Sequence, residues 1–457
     1  MNRKLVIATF AAVVSISSFL HEMTSSSSAD PSAHDPGVRA IRSDAGAPIS
    51  GLSKTEEAFF LAGKDEFNAP EEVEEGLGPT MNLDSCGGCH SQPAIGGSSP
   101  PVNPQALFAN QMGARNRLPS FIQRDGPVRE VRFVHNPDGS ADGGVHSLFT
   151  ISGRRDAPGC NLEQPDFERE YGRGNAIFRI PTPLFGAGLV EQIPDKTILA
   201  NQANSAPRRR LLGIGGRANI VVPFSTVSGQ SNHNGNDGTV ARFGWKAQNK
   251  SLLLFSGEAY NVEMGISNEL FPTEREEASG CQYAATPNDT TNTTGNGAIA
   301  SLGGIEKFAM FMRLLAPPAA SNDTPGGAPS ITRGKQLFVA TGCELCHTAS
   351  MQTGNAAVAA LRDRPVNMYS DLLVHDMGVG LRDGVSQGQA GPREFRTAPL
   401  WGLGQRIYFL HDGRSADLIE AIKQHASQGS EANAVINNYQ VLREAQKQDL
   451  LNFLRSL

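Results

Sequence analysis

Two stretches of the sequence carry a pair of cysteines separated by two residues, with a histidine directly after the second cysteine. They read Cys86-Gly-Gly-Cys89-His90 and Cys343-Glu-Leu-Cys346-His347, and they use four of the six cysteines in the chain. This spacing suits covalent attachment of haem, because two thiols can add to the two vinyl groups while a histidine from the same turn binds the iron. The sequence therefore predicts two covalently bound haem c groups, with His90 and His347 as one axial iron ligand each.

Two other chemistries also use a Cys-x-x-Cys pair. A structural zinc site needs four ligands at close quarters, whereas these two motifs lie far apart in the chain and both end in histidine. A thioredoxin-like redox pair does not need a histidine after the second cysteine at both sites. Haem attachment is the interpretation that uses every residue of both motifs.

The remaining cysteines are Cys160 and Cys281. Two left-over cysteines in an exported chain most simply form a disulfide. Such a bridge would close a loop of about 120 residues and contribute roughly 4–5 kcal/mol in the chain-entropy model. Two separate buried thiols are the alternative.

A second axial ligand decides whether a haem transfers electrons or reacts with a small molecule. Leu418, Ile422 and His425 share one face of a predicted helix that Ser415 is placed to cap. His425 is therefore the candidate second ligand of the His347 haem. A buried histidine that hydrogen-bonds to the backbone is the alternative that the spacing leaves open.

Other residues near the C-terminus have chemistry suited to haem. His411-Asp-Gly-Arg414 is a turn pattern in which His411 could bond to a haem propionate and Arg414 is a natural propionate partner. A plain turn is the alternative. His375 and Met377 could each reach an iron, although core packing is the expected role.

The two tryptophans, Trp245 and Trp401, could each lie between haems as a redox relay, and core packing is the expected role for both. The other histidines stand in polar loops or near the N-terminus, which is typical of surface positions: His135, His146, His233, His21 and His34.

The first residues predict export. A basic pair, Arg3 and Lys4, precedes an apolar run, and small residues before Asp30 offer a cleavage site, so residues 1–29 are interpreted as a signal peptide. A membrane anchor is the alternative, but the run is short for a bilayer and contains serines. We expect a periplasmic or secreted protein without a transmembrane anchor in its mature form.

The chain has 457 residues, a length that suggests two or three domains. Its formal net charge is −6. No basic cluster exceeds Arg208-Arg209-Arg210, so nucleic-acid binding is not expected. Residues 30–52 are rich in small residues and predict a flexible leader. Residues 316–330 form a plausible linker, which divides the rest into a first haem domain, 53–325, with a large irregular insertion, and a C-terminal cytochrome c-like haem domain, 326–457.

Local patterns predict the elements that hold the motifs. Ser53-Lys-Thr-Glu56 fits a capping box at the start of a helix, and Val128–Val134 and Ile220–Val222 resemble strands. Gly334–Phe338 reads as a short amphipathic helix leading to Cys343, and residues 443–457 form another helix. The predicted fold is mainly α, with two cytochrome c-like haem lobes, long coil connections and a few short strands.

Several sequence blocks together resemble the bacterial dihaem oxidoreductase family, whose members are described as peroxidases or thiol oxidoreductases and are similar to dihaem cytochrome c peroxidases. The resemblance spans about residues 53–457. The blocks are Leu77-Gly-Pro79, Ser85-Cys-Gly-Gly-Cys-His90, Gly186-Ala-Gly-Leu-Val-Glu-Gln-Ile-Pro194, Arg242-Phe-Gly-Trp-Lys-Ala247, Met264-Gly-Ile266, Tyr369-Ser-Asp-Leu-Leu-Val-His-Asp-Met-Gly378, Arg396-Thr-Ala-Pro-Leu-Trp-Gly-Leu-Gly404 and His411-Asp-Gly-Arg414.

This resemblance implies that the far ligand of the C-terminal haem comes from the helix after the His411 turn, which is the position of His425. The family usually has His-Gly-Gly-Glu-Ala there, whereas this chain has His425-Ala-Ser-Gln-Gly-Ser-Glu-Ala432, a three-residue insertion. The peroxidases also place a displaceable histidine after the first haem motif, where this chain has Ala106. The resemblance therefore leaves the far side of the first haem unassigned.

The function that follows is a periplasmic dihaem oxidoreductase of peroxidase type, in which the His90 haem reacts with a small-molecule oxidant or substrate and the second haem relays electrons. A small redox protein would donate or accept those electrons. A general acid or base near the first haem would help to cleave a peroxide bond, and Glu263 and Gln111 are candidates by residue type only, with a surface or capping role as the expected alternative for each. The alternatives are a dihaem electron carrier without catalysis and a haem oxygenase or thiol oxidase on the same scaffold.

Overall fold

The computed structural model describes residues 32–39, 44–113, 117–141, 154–220, 226–227, 230–231, 239–273 and 278–457. The predicted signal peptide and three of the histidines, His21, His146 and His233, lie outside the described residues. Within these ranges, no helix has the length and apolar character that crossing a bilayer requires.

The fold combines helices with a few short strands, as the sequence predicts. The helices are α1 (Lys54–Asn68), α2 (Cys86–Cys89), α3 (Pro104–Gln111), α4 (Phe167–Gly172), α5 (Ala187–Glu191), α6 (Asp195–Leu211), α7 (Leu252–Met264), α8 (Gly304–Leu314), α9 (Gly327–Thr341), α10 (Gly378–Leu381), α11 (Leu418–Lys423), α12 (Asn433–Gln440) and α13 (Glu444–Ser456). The strands are β1 (Glu130–Phe133), β2 (Ala176–Arg179), β3 (Asn219–Ile220), β4 (Thr226–Val227), β5 (Gln230–Ser231), β6 (Val240–Ala241), β7 (Met351–Gln352), β8 (Pro365–Val366), β9 (Val374–Asp376) and β10 (Glu394–Arg396). The strands form antiparallel pairs: β1 with β2, β3 with β6, β4 with β5, β7 with β8, and β9 with β10.

Helix α1 begins at the predicted capping box and packs against α8. Ser53 accepts a hydrogen bond from the Glu56 backbone N–H, and the Glu56 carboxylate accepts one from the Ser53 backbone N–H. Gly63 allows the two helices to approach closely, because a Cβ at that position would lie 2.3 Å from the Lys307 carbonyl oxygen. Phenylalanine rings from both helices fill the contact, with the Phe60 and Phe311 centroids 5.4 Å apart.

A second helix pair, α9 with α13, encloses the C-terminal part of the chain. Gly334 is again the point of closest approach, since a Cβ there would lie 2.0 Å from the Asp449 carbonyl oxygen. The rings of Phe338 and Phe453 pack against each other with centroids 5.4 Å apart. Helix α9 ends at Thr341 and is capped by Gly342, whose φ of +98° suits glycine, and the next residue is Cys343. The second haem motif therefore begins directly after α9, beside the buried cluster that contains Phe338 and Phe453.

The N-terminal segment differs from the predicted flexible leader. The carboxylate of Asp35 accepts hydrogen bonds from the Arg455 guanidinium of α13, with N···O distances of 2.7 and 2.6 Å. The Arg39 backbone N–H donates to the Gly404 carbonyl at 2.8 Å, and the Ile49 N–H donates to the Leu314 carbonyl at 2.7 Å. Buried ion pairing and backbone bonds thus hold residues 32–39 and 44–49 on the body of the protein, an outcome that their small-residue composition does not reveal.

The two predicted haem domains share a buried core. One apolar cluster contains Ile198 and Phe311 from the first predicted domain together with Met368, Leu372 and Leu373 from the second. The chain that follows the second haem motif therefore packs into the first part of the molecule.

The helix predicted to carry His425 is shorter than expected. Its N-cap is Asp417, whose carboxylate accepts from the Glu420 N–H, whereas Ser415 bonds to the backbone N–H of Asp417. Helix α11 ends at Lys423, so His425 lies just beyond it. An aspartate next to the first helical residue competes better for the cap than a serine two positions earlier, because only the N-cap side chain reaches the N3 backbone N–H.

Candidate haem sites

The first motif forms one helical turn that orients its histidine. The His90 backbone N–H donates to the Cys86 carbonyl at 3.0 Å, which places both cysteines and the imidazole around a single turn. The side chain of Asn68 occupies the space beside Gly87, where a Cβ would lie 2.4 Å from Oδ1. Phe67, at the end of α1, packs edge-on against the imidazole with centroids 5.8 Å apart.

Hydrogen bonding fixes the tautomer of His90. Its Nδ1 lies 3.0 Å from the Gly97 carbonyl oxygen, which can only accept a proton. Nδ1 therefore carries the proton, and Nε2 presents a lone pair. Burial lowers the pKa of His90 to about 4, so the imidazole is neutral at physiological pH. This is the state that an iron ligand requires.

A cavity of about 1210 Å³, counting space open to solvent, adjoins the first motif. His90 is the only histidine among its described lining residues. Its walls come from α7, β1, β2 and the first motif, and they include Cys86, Cys89, Glu130, Arg179, Trp245, Glu258, Tyr260, Glu263, Met264 and Met312.

Three glutamates, Glu130, Glu258 and Glu263, line this first cavity. Burial, and then the negative charges of Glu130 and Glu258, raise the pKa of Glu263 to about 8. Glu263 is therefore largely protonated at neutral pH and can donate a proton into the cavity. The other candidate chosen by residue type, Gln111, is exposed at the end of α3 and does not line the cavity. The structure therefore does not bring Gln111 to the first motif, and residue type alone does not reveal which way a helix faces.

The second motif repeats the arrangement of the first. The His347 backbone N–H donates to the Cys343 carbonyl at 2.9 Å, and His347 Nδ1 lies 3.0 Å from the Tyr369 carbonyl oxygen. Burial, and then the neighbouring His425, lower the pKa of His347 to about 4. His347 is thus neutral, with Nε2 available to a metal.

A second cavity, of about 1380 Å³ counting space open to solvent, adjoins this motif and contains His425 in its lining. His425 Nδ1 lies 2.8 Å from the Ala421 carbonyl oxygen, so its Nε2 also carries the lone pair. Burial lowers the pKa of His425, which favours the neutral ligand form. The structure therefore brings His347 and His425 to the same cavity in matching tautomers.

The two other candidate ligands of the second iron, His375 and Met377, differ in whether their ligand atoms are already hydrogen-bonded. His375 Nδ1 lies 2.7 Å from a Glu431 carboxylate oxygen, and its Nε2 lies 3.0 Å from an Asp371 oxygen. With both nitrogens engaged by carboxylates, His375 has no lone pair to offer a metal. Met377 lines the cavity and is only partly buried.

The predicted propionate partners occupy different places. Arg414 does not line the second cavity; its guanidinium bonds to the Asp412 carboxylate at 2.6 Å and to the Gly380 carbonyl at 2.7 Å. The prediction for Arg414 is therefore not supported by its position, because a nearer carboxylate engages it. His411 does line the cavity, and its ring stacks on Phe395 with centroids 4.2 Å apart. Burial lowers the pKa of His411 to about 4.

Sequence reasoning missed two cationic residues in the second cavity, Arg396 and Arg406. Neither forms an ion pair within the described part of the chain. Arg396 opens one of the sequence blocks quoted above, which was a usable signal. Arg406 lies two residues after the last residue of that block and has no distinguishing pattern.

Trp245 borders both large cavities, whereas Trp401 borders neither. Trp245 is 8% exposed, and its indole N–H donates to the Ile180 carbonyl at 3.0 Å. Trp401 lies over Gly186 at a smaller cavity of about 510 Å³, which Trp245 also lines. Only Trp245 has a position between the two sites.

Cys160 and Cys281 lie together away from both cavities. Their sulfur atoms are 2.11 Å apart and their Cα atoms 4.7 Å apart. They form a small buried cluster with Val73 and Ala157. The pairing expected from the cysteine count is thus compatible with the geometry of the fold.

The residues of each site fit a haem attached through its motif. Each cavity is adjacent to two free cysteines on one turn and to a neutral histidine with Nε2 available. The second cavity also offers an opposing histidine and the side chains of Phe338, Leu400, Leu418, Leu450 and Leu454, an apolar lining that suits a porphyrin.

Comparison with known proteins agrees with this chemistry. A family model described as "Di-haem oxidoreductase, putative peroxidase" matches residues 148–457, which include the second haem motif but not the first. No curated protein is similar enough to count as a match.

A solved structure of hydrazine synthase from Kuenenia stuttgartiensis, pressurised with xenon, is 16% identical over 34% of this chain and 55% of that chain, with a TM-score of 0.23. The chain thus spans about half the length of that protein, and a TM-score this low does not indicate a shared fold. The family match covers more than half of the chain, and the chain belongs to the di-haem oxidoreductase family.

Proposed function

We propose that the protein is an exported dihaem peroxidase-type oxidoreductase with one haem c bound at Cys86, Cys89 and His90 and another at Cys343, Cys346 and His347. Each predicted domain, 53–325 and 326–457, would hold one haem in a cytochrome c-like lobe. The two cavities adjoining the motifs and the neutral state of both histidines support this assignment.

The two sites are proposed to differ in role because their far sides differ. In the second site, His347 and His425 would both hold the iron, which suits electron transfer rather than substrate binding. In the first site, no histidine other than His90 is among the described lining residues. The first site is therefore the proposed place of reaction.

The observation that carries the proposal is the cavity at the first motif, whose described lining contains His90 as its one histidine and Glu263 as an acid. Cleavage of a peroxide O–O bond needs a proton for the departing oxygen, and Glu263, whose pKa is raised to about 8, can supply it at neutral pH. Haem bound at His90 would supply the metal that binds peroxide and the electrons that reduce it. Overall, hydrogen peroxide, two electrons and two protons give two molecules of water.

The residues of this chain perform the remaining tasks. Glu263 holds and delivers the proton, while His90 Nδ1–H keeps its bond to the Gly97 carbonyl and so holds the imidazole in one orientation. Trp245 lies between the cavities and is a candidate route for electrons from the second site. A small redox protein in the periplasm, or outside the cell, would supply those electrons.

The test is to mix reduced, purified protein with hydrogen peroxide in a stopped-flow spectrometer and, separately, to titrate the oxidised and half-reduced protein with cyanide. We expect rapid oxidation by peroxide. We also expect one cyanide molecule to bind per chain in the oxidised or the half-reduced protein. Slow oxidation, together with no cyanide binding in either state, would assign the protein as an electron carrier. Mass spectrometry of the denatured chain should show two attached haems.

A further inference from the structure

Among the residues that the structure describes, no carboxylate balances the charge of two arginines in the second cavity. Arg396 donates from Nε to the Gly244 carbonyl at 2.9 Å and from Nη1 to the Thr397 carbonyl at 3.3 Å. Arg406 donates from Nε to the Tyr408 carbonyl at 3.0 Å, and its buried Nη2 has no hydrogen-bond partner. All of their described polar contacts are thus with neutral backbone groups.

Arg406 is buried and Arg396 is half-buried. Several other buried arginines of this protein are paired with acids. Arg179 lies 2.7 Å from Asp383, Arg209 lies 2.5 Å from Asp371, and Arg455 lies 2.6 Å from Asp35. A buried charge that has no partner is strongly destabilising. Arg396 and Arg406 therefore indicate that an anion from outside the polypeptide completes this region.

The two guanidiniums face the same space. Both line the second cavity and the smaller cavity that adjoins it beside Trp245. Burial lowers the pKa of each to about 10, and the charge of Arg406 contributes to the shift of Arg396. Both remain cationic at neutral pH, and because they line the same two cavities they present positive charge to the same region.

We propose that Arg396 and Arg406 bind the propionate carboxylates of the haem attached at Cys343 and Cys346. This inference rests on the haem attachment proposed above. Guanidinium groups bind carboxylates through paired, charge-assisted hydrogen bonds, and the free Nη2 of Arg406 is a donor available for one of them. The two arginines take the role that the sequence pattern suggested for Arg414.

The experiment measures the midpoint potential of each haem in the holoprotein by spectroelectrochemistry, following the low-spin absorption for the His347 haem. Removing a cation beside the propionates favours the more positively charged ferric state. Arg406→Gln and Arg396→Gln should each shift the potential of the His347 haem downward. Arg406→Lys keeps the charge and should shift it less.

Arg414→Gln is the matched control, because Arg414 is bound to Asp412 outside the cavity, and it should leave both potentials unchanged. The inference is overturned if neither glutamine variant moves the potential of the His347 haem, or if only the His90 haem responds. Haem content is measured on the same samples. A wild-type chain without haem at Cys343 and Cys346 would refute the proposed function itself, whereas two haems with unmoved potentials would refute only the role of the arginines.

Discussion

At the scale of single residues, the three candidate iron ligands share one hydrogen-bonding arrangement. His90, His347 and His425 each place Nδ1 within 3.0 Å of a backbone carbonyl oxygen, those of Gly97, Tyr369 and Ala421. A carbonyl accepts but never donates, so the proton is held on Nδ1 and the lone pair of Nε2 faces the cavity. The backbone thus selects the ligand form of each imidazole before a metal binds.

Replacing Glu263 with glutamine should slow the reaction with peroxide by about 10²–10⁴-fold, because the neutral amide cannot donate the proton. Stopped-flow oxidation of the reduced protein provides the measurement. Haem content and cyanide binding should be unchanged. Gln111→Ala, at an exposed position on α3, serves as the control and should react like the wild type.

The pH dependence of the wild-type rate follows from the same residue. The proton donor is the protonated acid, which is present below the pKa of about 8 and is lost as the pH rises through that value. The peroxide reaction should therefore decline above about pH 8. A rate that stays constant from pH 6 to pH 10 would contradict a role for Glu263.

Changing His425 to alanine should open the second site. The low-spin absorption of one haem should give way to a high-spin form, and the number of cyanide molecules bound per chain should rise by one. Absorption and magnetic circular dichroism spectra would report both. His135→Ala, in an exposed loop, is the control, and a His425→Ala spectrum identical to wild type would exclude the assignment.

At the scale of elements, each haem motif depends on the helix that precedes it. Phe67 at the end of α1 contacts His90, and Phe338 of α9 packs beside His347 with centroids 6.3 Å apart. These helices are themselves held at the glycine crossings of α1 with α8 and α9 with α13. In each site, a phenylalanine ring of the packed helix pair contacts the imidazole and helps to hold it in position.

The Cys160–Cys281 pair should behave as a disulfide that ties two irregular segments together. Free-thiol labelling of the unreduced, denatured protein should detect no cysteine, and two labelled thiols would refute the bridge. Replacing both with serine should lower the free energy of unfolding by roughly 4 kcal/mol in the chain-entropy model, since the bridge closes a loop of about 120 residues. A reducing agent should destabilise the wild type but not the double variant.

At the scale of the whole molecule, the two cavities meet at Trp245, which comes from the first predicted domain but lines the second cavity as well. The Arg406 guanidinium lies over its ring at 5.6 Å, and His411 approaches its edge with ring centroids 6.5 Å apart. The shared core of the two predicted domains keeps this contact in place. Electron exchange between the sites is thus expected to depend on packing across both.

Trp245→Phe should slow electron transfer between the haems by about tenfold or more, which corresponds to about 1.4 kcal/mol in activation free energy. Rapid reduction of one haem, followed by absorbance at both, measures the rate. The matched control is Trp401→Phe, because Trp401 borders neither large cavity and should leave the rate unchanged. If Trp245→Phe transfers electrons as fast as Trp401→Phe and the wild type, Trp245 is excluded as the route.

The sequence by itself indicated haem chemistry and determined several local elements. The haem motifs, the capping box at Ser53 and the terminal helix near residues 444–456 depend on neighbours within a few residues, which a linear pattern displays. His425 was also reachable as a candidate, because helical spacing put it in register with an apolar face, although α11 itself ends at Lys423. The resemblance then indicated the order of the blocks.

Only the tertiary structure decided which residues that are distant in sequence contact each other at the two sites. Burial and two other glutamates give Glu263 its raised pKa, and a carboxylate at each ring nitrogen removes His375 from consideration as a ligand. Arg414 is bound by Asp412, while Arg396 and Arg406 are left without an acid. Acidity, tautomer and charge balance are set by contacts between residues far apart in sequence, and no local pattern encodes them.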